Sequence, residues 1–292
     1  WRAAKSSSVP EPKVTLDQLV AHAGARLQAA GIPEPKREAW RIWADLKGLT
    51  SVAGAILAEG VVPSGDATRF RRAVDRRAAG EPLPYVTGLV GFRQLTLKCD
   101  RRALIPRPET EGLVELLLEH APGGVVADIG TGGGCIALAL AEEGRYELVL
   151  GLDRSRGALA LAAENRRTTG LGVALVEGVL TSPLAGDSVD ALVSNPPYLT
   201  EAEYEGLDPS VKAWEPREAL VGGADGMEAY RALVEDGWRV VRDGGWMALE
   251  VDAFRAVDTA RMAEAAGWSE VMVHEDLFGR ARFVLARRSE AL

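Results

Sequence analysis

Cysteine, histidine and uninterrupted apolar runs are what this 292-residue chain has least of. Only Cys99 and Cys135 occur, too few for a disulfide framework and without the paired spacing of a zinc site. Three scattered histidines, His22, His120 and His274, give no ligand cluster, so no metal centre is expected. No apolar run approaches a membrane span and no signal-peptide pattern opens the chain, which makes the cytoplasm the expected compartment. An initiator Met is also lacking. Residues 1–14, rich in Ser and Pro, read as a flexible end. No internal repeat appears.

An excess of positive charge is absent too. The net charge is -8, but residues 1–85 hold 13 Lys+Arg against 9 Asp+Glu, for +4. The remainder holds 21 basic and 33 acidic residues, for -12. Phosphate backbones would meet repulsion along such a body, so it is a poor nonspecific nucleic-acid binder. The basic N-terminal part leaves room for an acidic or nucleic-acid-associated partner.

What is present divides into three stretches. Over residues 15–86 helical spacing dominates, with Thr15 placed to cap a helix carrying Leu16, Leu19, Val20, Ala23 and Leu27. Pro35 suits a first helical turn, and further helices are expected over 51–59 and 66–79. The last carries Arg69, Arg71, Arg72, Arg76 and Arg77, readable as a solvated face or as a binding patch. Pro82, Pro84, Gly88 and Gly91 break the helical pattern. Residues 87–109 then alternate as a hairpin linker, with Phe92, Leu95, Leu97, Leu104 and Ile105 apolar. The stiff run Leu104-Ile105-Pro106-Arg107-Pro108-Glu109 reads as a linker or as the lip of a site, after which Thr110 is expected to cap a helix over 111–119. Over 110–292 strands and helices alternate, the pattern of a mostly parallel α/β sheet. Strands are expected at 125–129, 148–152, 173–176, 190–193 and 246–251, and a closing hairpin at 269–274 and 281–286.

Two motifs carry chemistry. The first strand runs into Gly130-Thr131-Gly132-Gly133-Gly134, and the second ends at Asp153, placed as an acidic residue that takes ribose hydroxyls would be. The spacing Gly130-x-Gly132-x-Gly134 is not the dinucleotide one, and Asp128 stands where a pyrophosphate would come close. A carboxylate there repels a dianion but suits S-adenosylmethionine, which carries an ammonium and a sulfonium. A plain turn aspartate is the other reading of Asp128. The second motif is Ser194-Asn195-Pro196-Pro197-Tyr198 at the end of an apolar strand. The prolines disfavour helix, leaving the Pro196 carbonyl free to accept. With the Asn195 amide oxygen and the Tyr198 ring beside it, the loop suits a planar group bearing an NH2. A Pro-rich turn with a chance Asn remains the bland alternative.

Taken together, these residues resemble the HemK-type protein-(glutamine-N5) methyltransferases, which methylate the glutamine of the Gly-Gly-Gln loop of peptide-chain release factors. The resemblance runs from about residue 15 to the end. Its most specific parts are the run from Leu104 to Glu111, Asp128-Ile129-Gly130-Thr131-Gly132 and Ser194-Asn195-Pro196-Pro197-Tyr198. Pro84-Tyr85, Trp214-Glu215-Pro216 and the glycine-rich stretch from Ala219 to Gly226 are also similar. The resemblance implies a class I methyltransferase sheet, Rossmann-like, with a small all-helical N-terminal domain that helps hold the release factor. It places cofactor contacts on Gly130 to Gly134, Asp153, Leu180 and Asn195, and substrate contacts on Asn195, Pro196, Pro197 and Tyr198. Two departures stand out. Val179 and Leu180 occupy positions where the family has an acidic residue and often a tryptophan beside adenine, and Glu250-Val251-Asp252-Ala253-Phe254-Arg255 replaces Glu-Ile-Gly-x-x-Gln.

The chemistry expected is methyl transfer from S-adenosylmethionine to a glutamine amide nitrogen, leaving S-adenosylhomocysteine. Asn195 and Pro196 would accept the two N–H groups and aim the nitrogen lone pair, while Tyr198 packs on the amide plane. An adenine-N6 nucleic-acid methyltransferase is the first rival, opposed by the charge of -12 over the body. A catalytically silent nucleotide- or S-adenosylmethionine-binding protein is a second, opposed by the intact Asn195–Tyr198 loop. Glutamine of a ribosomal protein is a third, within the same chemistry.

Overall fold

The computed structural model describes residues 14–49, 51–56 and 60–289. The chain divides into two compact units, one ending at Thr87 and the other beginning at Gly88.

The first unit is helical among its described residues. Its helices are α1 (Leu16–Ala29), α2 (Pro35–Leu46), α3 (Val52–Ile56), α4 (Ser64–Ala78) and α5 (Leu83–Thr87). Thr15 caps α1 as its sequence requires. Its hydroxyl accepts from the Gln18 N–H and the Gln18 side chain accepts from the Thr15 N–H, satisfying two helix-end donors. The apolar faces meet in a core where Leu27, Ile42 and Phe70 are fully buried and Trp43 stands edge-on to Phe70 at 5.7 Å. The arginine row of α4 is not one uniform face. Arg69, Arg76 and Arg77 are engaged by Asp66, Glu81 and Glu38, whereas Arg71 and Arg72 have no ion-pair partner among the described residues. Where prolines suggested a plain break, α5 forms, with the Tyr85 and Val86 N–H groups donating to the Pro82 carbonyl at 3.0 Å. Residues 57–59 of the helix expected over 51–59, and residues 1–13 of the expected flexible end, lie outside the described residues.

The second unit is the α/β body. A hairpin of β1 (Leu89–Phe92) and β2 (Leu95–Lys98) opens it. There follow α6 (Thr110–His120), β3 (Gly123–Ile129), α7 (Cys135–Glu143), β4 (Arg145–Asp153), α8 (Arg156–Thr169), β5 (Val173–Glu177) and β6 (Val189–Ser194). Then come α9 (Glu201–Glu205), α10 (Pro209–Trp214), a 3-10 turn (Arg217–Ala219), α11 (Glu228–Val240), β7 (Val241–Glu250), α12 (Ala256–Ala265), β8 (Ser269–Glu275) and β9 (Ala281–Arg287). The sheet order is β5-β4-β3-β6-β7-β9-β8, parallel from β5 to β7 and antiparallel where β9 joins. Alternate residues of the central strands feed different cores, as a sheet covered on both faces demands. Val126, Ala191 and Val193 pack with Leu113 and Leu117 of α6 and Leu138 of α7. Ala127, Ile129 and Leu192 pack with Tyr230 and Leu233 of α11 and Ala263 of α12.

Two expectations are corrected, and one helix was not expected. The hairpin ends at Lys98 and does not include Leu104 or Ile105; its Phe92 and Leu97 are buried in the body's own core. Thr110 is the first residue of α6 and not its cap, because Glu109 already has helical backbone angles. Its hydroxyl is free to point elsewhere. Helix α8 was not anticipated, although Ser155 caps it, Gly170 ends it, and Ala158, Leu161, Ala162 and Asn165 fall on one buried face.

The helical unit offers a direct test of its core. Phe70→Ala removes a fully buried ring, for which large-to-small changes cost about 3–5 kcal/mol. Urea denaturation followed by Trp43 fluorescence should show that loss, with the α/β body retaining its circular dichroism signal.

Candidate active site

A cavity of about 440 Å³ opens at the carboxyl ends of the parallel strands. It is lined by Gly130, Thr131, Gly132 and Gly133 after β3, Asp153 at the end of β4, Val179 and Leu180 after β5, and Asn195 and Pro197 after β6. Ile105, Arg107 and Thr110 reach it from the proline-rich loop and the start of α6, and Gly222 from the far loop. Strand order explains the location. The chain passes from β3 outward to β4 and β5, then returns to β6 on the other side of β3, leaving a crevice where the connections diverge.

The glycine turn is built by backbone donors meeting fixed acceptors. Gly130 and Thr131 N–H groups donate to the Leu152 carbonyl at 2.8 and 2.9 Å, and Gly132 N–H donates to Asp153 Oδ2 at 2.9 Å. Gly130, Gly132 and Gly134 have φ of 75°, 55° and 87°, the left-handed region that glycine adopts without strain. Asn165 of α8 fixes the turn from behind. Its Nδ2 donates to the carbonyls of Gly133 and Lys98, and its Oδ1 accepts from Lys98 N–H at 2.7 Å. Asp153 is therefore both a wall of the cavity and a tie for the turn, its Oδ1 accepting from Ser155 N–H. Each carboxylate oxygen keeps a further lone pair for a hydroxyl.

Asp128 lies elsewhere from the wall. Fully buried beneath the turn, it accepts from the Thr131 hydroxyl at 2.6 Å and from Ala137 N–H at 3.1 Å through Oδ2. Its Oδ1 has no partner, and burial pushes its pKa up to about 7. The turn-aspartate reading thus describes half of this carboxylate, while the other oxygen is left as an unspent acceptor.

Asn195 is half-buried, and its Nδ2 donates to Thr110 Oγ1 at 3.1 Å, which turns Oδ1 to the remaining side. Behind it, the Ser194 hydroxyl donates to the Ile129 carbonyl at 2.6 Å and ties the two motif-bearing strand ends together. Pro196 is buried and off the cavity wall, but its carbonyl accepts no hydrogen bond among the described residues. Tyr198 is also off the wall, packed partly into the core of Ala127 and Tyr230, and that burial raises its phenol pKa. Gly134 is set back as the N-cap of α7. The loop is held by Leu199 N–H to the Leu220 carbonyl and Gly222 N–H to the Leu199 carbonyl, at 2.9 and 2.8 Å. Gly222 admits no side chain, since a Cβ there would stand 2.2 Å from the Pro197 carbonyl oxygen.

Three residues with site roles in the geometry had none at the site in the sequence reading: Thr110, read only as a helix cap, Asn165 and Glu215. Glu215 is buried, pairing with Arg107 at 2.6 Å and accepting from Ile105 N–H, so it clamps the proline-rich lip. Asp252 and Arg255 also find an account. Asp252 accepts from Phe254 N–H, and Arg255 bridges it to Glu203, the acid of the capping box that starts α9. Val179 is exposed on the wall, and Leu180 has φ of 49° with its side chain partly in the core. Among the described residues no group of His, Cys, Asp and Glu is arranged to hold a metal ion, and no helix is long and apolar enough to cross a membrane.

Sheet order, glycine turn and crevice define a methyltransferase. The family described as methyltransferase small domain matches residues 108–207, and that described as PrmC N-terminal domain matches residues 18–88. A methyltransferase structure from Pyrococcus furiosus superposes with a TM-score of 0.52 at 17% identity, covering 78% of this chain and 100% of that one, which supports the fold alone. At the sequence level the chain is 40% identical over 283 residues to the release factor glutamine methyltransferase of Moorella thermoacetica, covering 95% of this chain and 100% of the relative. It is 40% identical over 278 residues to that of Deinococcus radiodurans, covering 94% and 99%. The chain belongs to the release factor glutamine methyltransferase family.

Asn165 gives the test of how the turn is supported. Asn165→Ala strands the part-buried Lys98 N–H and the carbonyls of Lys98 and Gly133 and should destabilise the body by about 1–3 kcal/mol, measured by urea titration.

Proposed function

We propose that this protein transfers a methyl group from S-adenosylmethionine to the side-chain nitrogen of the glutamine in the Gly-Gly-Gln loop of a release factor. The observation that carries this reading is Asn195: its amide nitrogen is taken by Thr110, so its oxygen is the end left for a substrate N–H. Family membership at about 40% identity over nearly the whole chain supports the substrate.

The cavity fits the cofactor by the chemistry of its walls. Asp153 has acceptor capacity for ribose hydroxyls, Gly130 to Gly133 allow close backbone approach, and Leu180 with Val179 offers apolar cover for a purine. The orphaned Asp128 oxygen beneath the turn supplies negative potential for a cationic ligand without standing in its way. When bound, S-adenosylmethionine supplies an electrophilic methyl on a cationic sulfur.

The residues of the chain do the rest. An amide nitrogen is a weak nucleophile because its lone pair is delocalised into the carbonyl. Acceptors at Asn195 Oδ1 and the Pro196 carbonyl would hold its two N–H groups, fix the direction of the lone pair and favour positive charge developing on nitrogen. The Pro196 carbonyl is unspent, as that role requires. Tyr198 would back the loop and keep water out. The proton lost from the product nitrogen passes to solvent, so no dedicated base is assigned. We assign the helical unit, residues 15–86, to holding the release factor body, with residues 1–14 leading in, 87–109 as the connecting hairpin segment and 110–292 as the catalytic domain; the cytoplasm, where release factors act, is the compartment. The -12 carried beyond residue 85 disfavours the adenine-methylating alternative.

Two measurements test this reading. Asn195→Ala should lower the methylation rate on a release factor by about 100-fold or more, with the fold unchanged in circular dichroism, and the label should map to one glutamine by peptide mass analysis. Methyl appearing in a DNA oligonucleotide while the release factor stays unlabelled would overturn it. The second concerns pH. Folding raises the Asp128 pKa from 3.8 to about 7, so the unliganded protein has its full contribution below 3.8 and loses it as pH rises through about 7. A cationic ligand favours the ionised form. The thermal shift given by S-adenosylmethionine should therefore grow between pH 6 and 8, and Asp128→Asn should flatten that rise.

A further inference from the structure

The most exposed apolar side chains of the body gather at one edge of its sheet. Among the described residues Leu277 is 101% exposed, Phe254 92% and Phe278 75%, the three highest values for large apolar side chains. Val179, next at 60%, already lies on the cavity wall. Phe254 follows the end of β7, whereas Leu277 and Phe278 lie in the turn between β8 and β9. Strand direction brings these segments together. β9 runs antiparallel to β7, with Glu250 opposite Phe283, so the β8–β9 turn lies beyond the carboxyl end of β7. β7 is parallel to β6, with Leu249 opposite Ser194, so the same edge carries Asn195. Adjacent strands lie about 5 Å apart, which sets the turn roughly 10–15 Å sideways from the Asn195 loop.

The backbone beneath these side chains is pinned. Asp276 turns its carboxylate inward and accepts from the Phe278 and Arg280 N–H groups at 2.9 and 3.1 Å. Its own N–H donates to the Arg280 carbonyl at 2.8 Å, which closes the turn. Asp252 Oδ1 accepts from Phe254 N–H at 3.0 Å, and Arg255 ties that segment to Glu203 of α9, just past the Asn195 loop. One guanidinium joins the two pieces. Arg282 contacts Asp276 at 3.4 Å and donates to the Val251 carbonyl at 3.5 Å. Both segments thus spend their polar groups on their own backbone and leave the apolar side chains to solvent. Val257, in the first turn of α12 just past Phe254, is exposed as well and widens the patch. Apolar surface held out in a fixed array is a standing cost in water, and a protein partner that covers it relieves that cost.

We propose that Phe254, Leu277 and Phe278 form a docking surface for the body of the release factor, beside the mouth through which its glutamine enters. This rests on the release-factor reading above. A glutamine loop that reaches Asn195 brings the rest of its protein against the carboxyl edge of the sheet. Patch and crevice are continuous there, running from the Asn195 loop through Glu203 and Arg255 to Phe254 and on through Arg282 to the β8–β9 turn. Aromatic and aliphatic anchors suit the apolar centre of a protein interface, and the exposed Glu275 and Arg280 beside them suit its polar rim. Two other occupants fit less well. An anionic lipid surface would meet the -12 carried beyond residue 85. A second copy of this chain on the patch would stand at the mouth that a macromolecular substrate has to reach.

The test has a kinetic and a footprinting arm. In the full chain, the triple variant Phe254→Ser, Leu277→Ser, Phe278→Ser should raise the KM for an intact release factor by about 10-fold or more, with kcat and the Kd for S-adenosylmethionine within about twofold of wild type. Leu148→Ser, which alters an exposed apolar residue of β4, is the control and should change none of these. In wild type, hydroxyl-radical labelling of Phe254 and Phe278 should fall on saturation with release factor, while that of Leu148 stays unchanged. This second readout decides the matter should the triple variant fail to fold. An unchanged KM in a folded triple variant, or Phe254 and Phe278 left unprotected, overturns the proposal. So does a wild-type dimer in sedimentation that the triple variant dissolves with KM unchanged, or binding to phosphatidylcholine–phosphatidylglycerol vesicles lost in the same way. Absence of methyl transfer by wild type would sink the functional reading instead, while calorimetric titration of release factor into wild type and triple variant still decides the docking claim.

Discussion

The parallel pairing of β3 with β6, register Ile129 to Ser194, is the constraint on which the site depends. It brings the end of the strand that opens the glycine turn beside the end of the strand that opens the Asn195 loop. A one-residue slip would exchange the faces of every side chain on β6, because strand side chains alternate. Both faces of this sheet are buried, so the slip would carry no gain to offset the lost packing. The Ser194 hydroxyl, bonded to the Ile129 carbonyl, reinforces the alignment at the point where it matters.

Around that pairing, most polar side chains of the site spend part of their hydrogen-bonding capacity on backbone. Asp153 holds Gly132 and Ser155, Asn165 holds Gly133 and Lys98, and Glu215 holds Ile105. Such ties hold loops rigid at the mouth of the crevice, where preorganisation has most effect on a reaction that depends on aiming a lone pair. Asp128 and Glu250 stand apart from this pattern. Each is buried, each keeps one oxygen unpartnered, and burial raises each carboxyl to about 7. Two such buried acids are more sensitive to nearby charge than the exposed ion pairs of the surface, because solvent screens those.

The departures from the family pattern become intelligible in this setting. Arg255, where the family has a glutamine, fastens the segment after β7 to Glu203 and so to the start of α9, just past the Asn195 loop. Gly226 gives it room, since a side chain there would collide with the Tyr198 carbonyl and the Arg255 guanidinium. Val179 and Leu180 line the cavity with apolar side chains. Thr110 shows how a single local misreading hides a role: as a cap its hydroxyl would be consumed by backbone, but as the first residue of α6 it turns toward Asn195.

The sequence by itself determined the alternation of strands and helices, the glycine turn, the strand-end Asn195 loop and the family. Those features are written in local periodicity, in backbone preferences of glycine and proline, and in motifs whose members lie within a few residues of one another. It missed α8 and the role of Asn165, although the Ser155 cap, the Gly170 stop and the buried spacing were all present. Only the tertiary structure decided that Asp128 lies under the turn and not on the wall, that Pro196 and Tyr198 stand off the cavity wall, and that Thr110 stands behind Asn195. Thr110 and Asn195, partners in one of these contacts, are 85 residues apart along the chain. What joins them is the order of strands in the sheet, which no window of local sequence encodes.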